Sequence, residues 1–238
     1  VVGFTAIVFG VMALLGLGFS KWRKLDAATT SSTILGTTLF NGFNLGFPMA
    51  AFAFGEEGLL LASVLIAVNT IPHNAFGMFI AARGALSTRD TIRTMVRMPF
   101  LYALGLAVTL RVAQIDLPSV VMSPVESMGR AAIPYTIVCL GMEISRMQVG
   151  RIGPNLCGIV LLRLLVAPLV AIAATEIVGL TGTLRSVVIL QASMPCAIVP
   201  IIYARMFGGN VDVLSRAVFY STLGSLFTLP VLLAYLQG

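Results

Sequence analysis

Charge is unusually sparse in this sequence. Asp, Glu, Lys and Arg make up 10% of the 238 residues, against 58% hydrophobic and a mean hydropathy of +1.00. A soluble domain carries about a quarter charged residues, so a soluble enzyme or binding module is excluded. The net charge of +6 does not point to nucleic acid, because the basic residues fall in short segments between apolar runs. Cysteine is scarcer still. Cys139, Cys157 and Cys196 are odd in number, lie in apolar stretches and lack Cys-x-x-Cys spacing, so they read as small packing residues rather than a disulfide framework or a zinc site. With one histidine and no His-Glu-x-x-His cluster, metal-dependent hydrolysis has no ligand set. No Gly-rich loop ends in Lys-Ser or Lys-Thr, which argues against ATP-driven pumping within this chain. The sequence calls for no cofactor and no metal.

Long apolar runs are what is present. Spans of about 20 residues, enough to cross a bilayer, fall near 1–19, 28–54, 57–82, 98–114, 127–147, 155–179, 184–206 and 213–236. The expectation is an all-α, polytopic membrane protein with about eight transmembrane helices. The first run is followed, not preceded, by Lys21, Arg23 and Lys24, which marks a transmembrane helix rather than a signal peptide. A chain that opens on Val1 is expected to have lost its true N-terminus. Basic residues concentrate in alternate loops: Lys21 to Lys24; Arg83, Arg89, Arg93 and Arg97; Arg146 and Arg151; Arg205 and Arg216. By the positive-inside rule these loops are cytoplasmic and both chain ends face outward. Segment 83–97, with Asp90 among its arginines, reads as a solvated amphipathic connector. Segment 118–130 reads as a short surface helix or loop before the fifth span.

One stretch is poor material for a continuous membrane helix: Asn41-Gly42-Phe43-Asn44-Leu45-Gly46-Phe47-Pro48. Gly costs about 1 kcal/mol and Pro about 3 relative to Ala in a helix interior. Unwound backbone at membrane depth survives only where it is buried in protein or lines a wet cavity. A second break is expected at Met194-Pro195-Cys196-Ala197-Ile198-Val199-Pro200. Pro48 lies seven residues before Gly55 and Pro200 eight before Gly208. Each glycine opens a short acidic turn, containing Glu56 and Glu57 in one case and Asp212 in the other. The following helices carry Asn69-Thr70 with Pro72, and Ser221-Thr222 with Pro230. The first turn is assigned outside and the second inside, so the expected architecture is a helical bundle of two inverted repeats whose broken helices, about 28–54 and 184–206, cross near the midplane.

Helix ends exposed at such a crossing carry partial charges of about +0.5 and −0.5, and the amide ends suit a carboxylate. The candidate substrate-binding residues are Asn41, Asn44, Gly46, Pro48, Met194, Pro195, Val199 and Pro200, the prolines marking the crossing rather than contacting ligand. The asparagines could instead serve only the unwound backbone. Asn69, His73, Asn74, Arg163, Ser221 and Thr222 are candidates to complete the site or couple an ion. An unperturbed histidine titrates near neutrality, so His73 is a candidate to accept a proton during turnover, but a lone histidine is more often a packed one. Arg163 lies near mid-span, where a charge needs an inward partner or an anion. The other polar groups read equally well as interhelical glue. Glu143 and Arg146 form an i,i+3 surface pair, and Glu176 sits near an outer helix end.

The residues also resemble a known family. Asn41-x-x-Asn44-x-Gly46-x-Pro48 followed by Phe54-Gly55-Glu56-Glu57-Gly58-Leu59 is similar to the fourth helix and following turn of the auxin efflux carrier family, whose fold is like that of bile acid:sodium symporters. Met194-Pro195-x-Ala197, Tyr203-Ala204-Arg205, Gly208-Gly209 and Ser221-Thr222 to Leu229-Pro230 resemble its ninth and tenth helices. Arg130-Ala131-Ala132-Ile133-Pro134 with Leu140-Gly141 resembles its seventh. The resemblance implies ten helices in two inverted sets of five, of which this chain lacks the first two. It implies transport-unit helices over 1–97 and 153–238 and scaffold helices over 98–152. It further implies a secondary carrier moving a small organic anion, a carboxylate or auxin-like acid, by elevator-type alternating access. A homodimer in a bacterial inner membrane, with H+ or Na+ as the open choices for a coupling ion, belongs to the same expectation. Val199-Pro200 stands where many bacterial members carry Asn, as in the plant exporters. The competing classes are an anion channel or uncoupled facilitator and, far behind, a membrane-embedded enzyme.

Overall fold

The computed structural model describes residues 1–82, 99–145, 147 and 150–237, with the side chains of 99–101, 104 and 143 left aside. The expected connector at 83–97 and the Glu143–Arg146 pair lie outside what is described. The described residues form ten α-helices and two π-helical turns. These are α1 (Val2–Trp22), α2 (Ala27–Thr38), a π turn (Gly42–Gly46), α3 (Phe47–Ala82), α4 (Pro99–Val112) and α5 (Ser119–Ser145). There follow α6 (Pro154–Leu161), a second π turn (Leu162–Val166), α7 (Ala167–Val178), α8 (Gly182–Ala192), α9 (Val199–Phe207) and α10 (Val211–Gln237). No strand occurs among the described residues beyond one isolated bridge, Phe40 to Cys196.

Four stretches of the described residues are long and apolar enough to cross a membrane: Val2–Trp22, Gly42–Ala82, Pro154–Val178 and Val211–Gln237. The second is two helices end to end. Gly55 (φ 61, ψ −146) turns the chain inside the range assigned to α3, a conformation that is essentially glycine-only. This separates the two spans that the sequence places at 28–54 and 57–82. The expectation of a short surface helix or loop at 118–130 is corrected: α5 is one helix of 27 residues that carries both Pro124 and Pro134.

The buried core draws on α1 to α3 and α6 to α10, and no residue of α4 or α5 belongs to it among those described. α5 packs on the Gly42–Gly46 turn and on α3, with Thr136 and Leu140 buried. Its Val120, Met128 and Tyr135 are exposed, as are Tyr102 and Leu106 of α4. At the centre lies α2, polar for a buried helix, with Thr29, Ser31, Ser32, Thr33, Thr37 and Thr38 all inside. Small hydroxyl residues let helix backbones approach and bond across. Ser31 Oγ donates to the Ile80 carbonyl at 2.9 Å, and the Ser32 and Thr29 hydroxyls accept from the backbone and side-chain amides of Asn210 at 2.8 and 3.0 Å. Asp26 caps α2, accepting from the amides of Ala28 and Thr29. The polar turn at Asn210 is thus tied to the start of the first broken helix.

Gly55→Ala is expected to lower stability by about 1–3 kcal/mol through backbone strain alone, since nothing lies within 4 Å of the added methyl. Gly3→Ala, equally uncrowded but of ordinary φ, is the control; equal melting temperatures of the two variants in detergent would contradict the assignment of the turn.

Candidate functional site at the helix crossing

Both interruptions occur where the sequence places them, and they meet. α2 ends at Thr38 and α8 at Ala192. Between them the extended segments at Phe40 and Cys196 pair antiparallel: the Asn41 amide donates to the Pro195 carbonyl at 2.9 Å, and the Ala197 amide to the Leu39 carbonyl at 2.9 Å. Each break thus satisfies backbone groups of the other, which the apolar surroundings demand. Ser221 Oγ accepts from the Cys196 amide at 3.0 Å, and Cys196 Sγ donates to the Gly36 carbonyl.

Beyond the bridge the chain re-enters helix in two ways. In the first break Asn41 Oδ1 accepts from the Asn44 amide at 3.3 Å and the Gly46 amide reaches back to the Asn41 carbonyl at 3.0 Å, a wide i→i+5 turn. Pro48, with no N–H to offer the Asn44 carbonyl, favours that widening. In the second, Pro200 sits at the second position of α9, where a missing N–H costs nothing.

A cavity of about 180 Å3 opens against the crossing. Its apolar wall includes Phe40, Phe43, Leu65, Ile66 and Ile198. Its polar wall is made of Asn41, Asn44, Asn69, Thr70, His73, Asn74 and Gln191, and among the described residues no Lys, Arg, Asp or Glu lines it. Asn41 and Gln191 are 4% and 3% exposed. Among the described residues Asn41 Nδ2, both polar atoms of the Gln191 side chain and His73 Nε2 have no hydrogen-bond partner. Buried polar groups are ordinarily paired, and each exception asks for an explanation. Among the described residues four such atoms gather around this one space, while the others, on Thr33, Thr38, Arg216, Thr222 and Thr228, lie outside its lining. Val199, the first residue of α9, brings the amino end of that helix, with its partial positive charge, to the same wall.

Of the residues expected from sequence, Asn41, Asn44, Val199, Asn69, His73 and Asn74 line this cavity. Asn69 also accepts from the Thr5 hydroxyl at 2.7 Å, while Asn74 donates to the Thr70 carbonyl at 2.7 Å and accepts from the Tyr203 hydroxyl. Those two therefore bind helices together as well. His73 stacks edge-on against Phe9 and Phe40, with centroids 5.8 and 5.7 Å away. Gly46, Pro48, Met194, Pro195, Pro200, Ser221, Thr222 and Arg163 are not in the lining. Gly46 lies under the Gln191 side chain, and a β-carbon there would come within 2.3 Å of its Oε1. Arg163 lies behind the bridge, fully buried, against the face of the Phe40 ring. Sequence reasoning missed Gln191. Its signal is an uncharged amide one helical turn before Met194-Pro195 in an otherwise apolar run.

These features define a helical membrane protein whose buried polar cavity is built on two crossing interrupted helices. The family model described as "Membrane transport protein" matches residues 81–233. The chain belongs to that family, the family of the auxin efflux carriers. An uncharacterized transporter of Methanothermobacter thermautotrophicus is 27% identical over 227 residues, 95% of this chain and 74% of the relative. An uncharacterized transporter of Methanocaldococcus jannaschii is 25% identical over 212 residues, 87% of this chain and 68% of the relative. Auxin efflux carrier component 1 of Arabidopsis thaliana is 28% identical over 155 residues, 60% of this chain and 24% of the relative. The chain is thus an integral membrane protein of a transport family.

A buried, unpartnered amide is a cost to the folded state of about 1–3 kcal/mol. Gln191→Leu, close in volume, is expected to raise the melting temperature of the ligand-free protein; a fall would show that the amide is satisfied and contributes to stability.

Proposed function

We propose that the protein is a secondary carrier for a small organic anion, with the cavity at the helix crossing as its binding site. The observation that carries this reading is the group of buried side-chain donors, Asn41 Nδ2 and Gln191 Nε2, unpartnered among the described residues, beside the start of α9 and with no charged side chain of those residues in the wall. Neutral amides and a half-helix N-terminus hold a carboxylate without a fixed buried cation in contact with it, while Phe40, Phe43 and Ile198 take its apolar body. A carboxylate or auxin-like acid fits this chemistry, and the names of the auxin efflux carrier relatives agree with it.

In this reading the chain contributes about eight membrane spans in two inverted halves. Helices in 1–97 and 153–238 move as a transport unit against scaffold helices in 98–152, by elevator-type alternating access. The position of α4 and α5 outside the common core supports that division. A homodimer and a bacterial inner membrane are taken over from the family resemblance.

Labelled malonate, malate and indole-3-acetate are to be tested with the full-length protein in proteoliposomes. A carrier gives saturable flux that unlabelled substrate on the far side accelerates, whereas a channel gives neither. Asn41→Ala and Gln191→Ala are each expected to lower the rate about tenfold or more, the loss of one hydrogen bond to a charged group. Unchanged rates in both, and in Asn44→Ala, would remove the site from the crossing.

A further inference from the structure

Among the described residues the wall of the cavity contains no charge, yet one cation is buried directly behind it. Arg163 is 0% exposed, and among the described residues no carboxylate pairs with it. Its guanidinium is instead spent wholly on main-chain carbonyls. Nε donates to Met194 at 2.9 Å, Nη1 to Thr37 at 3.0 Å and Thr38 at 3.3 Å, and Nη2 to Ala192. Thr37 and Thr38 are the last two residues of α2, and Ala192 is the last of α8. These are the carboxyl ends of the leading half of each broken helix, brought to one point by the crossing. Each end carries about −0.5 of a charge, so the two together match one cation.

The position is not an accident of a long side chain. Arg163 stands on the π turn Leu162–Val166, in which the Ala167 amide bonds the Leu162 carbonyl. Pro168, one residue further on, lacks the N–H that would bond the Leu164 carbonyl and its ring crowds it, which accounts for a widened turn here. π turns inside helices mark functional positions often enough to be looked for there. The face of the Phe40 ring, 5.7 Å from Cζ, closes the guanidinium off on the side of the bridge.

In membrane carriers built on interrupted helices, half-helix carboxyl ends and unwound carbonyls are where a coupling Na+ is coordinated. We infer that Arg163 is a resident cation that fills this place permanently, locking the two breaks together and leaving the carrier no use for Na+. The side chain does two things that a bound ion would do. It neutralises the converging carbonyls, and it fixes the Phe40–Cys196 bridge on which Asn41 and Val199 are mounted. Unlike an ion it does not leave during the cycle, so substrate binding is not linked to the Na+ gradient. The inference rests on the carrier reading only for that last step.

The test compares the full-length wild type with Arg163→Ala and Arg163→Lys, using NaCl against choline chloride at equal ionic strength. The wild type is expected to melt at the same temperature in both salts, to retain no 22Na+ after desalting, and to transport at equal rates with and without a Na+ gradient. Arg163→Ala is expected to melt roughly 10 °C lower in choline, and to recover part of that loss in NaCl as Na+ enters the vacated carbonyl cage. Arg163→Lys, which keeps the charge, is expected to melt between the two and to show no salt difference. Stoichiometric 22Na+ binding or Na+-dependent melting of the wild type overturns the inference, as does an Arg163→Ala protein that melts like the wild type or is indifferent to the cation. Should Arg163→Ala fail to fold, 22Na+ binding to the wild type and the salt response of Arg163→Lys decide alone. The melting and 22Na+ readouts need no substrate, so absence of carboxylate transport would defeat the carrier reading while leaving the resident cation standing or falling separately.

Discussion

The rest of the structure depends on one constraint: inside a bilayer, each main-chain amide and carbonyl released from a helix must find a partner in the protein. Two helices are interrupted here, at Leu39 to Asn41 and at Pro195 to Ala197, and the partners are found reciprocally across a two-bond antiparallel bridge. Ser221 takes the Cys196 amide and Arg163 takes four carbonyls at the two leading helix ends. Each interruption therefore supplies backbone partners that the other needs. A local backbone problem thereby dictates that elements about 155 residues apart in the chain meet at one point.

That solution is asymmetric, and the asymmetry is what makes a site. The carboxyl ends of the leading half-helices are saturated by the guanidinium on one side of the bridge. On the other side, beside the start of α9, the side-chain amides of Asn41 and Gln191 retain donors with no partner among the described residues. The balance leaves a pocket of neutral donors beside the partly positive start of α9, facing apolar Phe40, Phe43 and Ile198 and lined by no charged side chain among the described residues. α3 and α5, packed about the Gly42–Gly46 turn, frame it from the other side.

Much of this is legible in the amino-acid order. Gly42, Gly46, Pro48, Pro195 and Pro200 declare themselves because they are costly in helix, and the amides of Asn41 and Asn44 because they are costly in lipid. The same logic finds the turn at Gly55. What is not legible is whatever depends on main-chain acceptors. A buried arginine raises the expectation of an acidic partner or a bound anion, but the partners of Arg163 are carbonyls, which every residue has and which leave no mark in sequence. Gln191 is missed for a related reason: glutamine is a good helix former, so it disturbs no pattern, and only the fold shows that its amide faces the cavity without a partner. In 118–130 the sequence suggests a short surface helix or loop, yet α5 continues through Pro124 and Pro134.

The most direct measurement is an experimental structure of the full-length protein determined with a transported carboxylate bound. The expected result is a carboxylate within hydrogen-bonding distance of Asn41 Nδ2 or Gln191 Nε2, beside the first turn of α9, with Arg163 still on its four carbonyls. A ligand bound away from the crossing, with both amides left unpartnered, would contradict the assignment of the site.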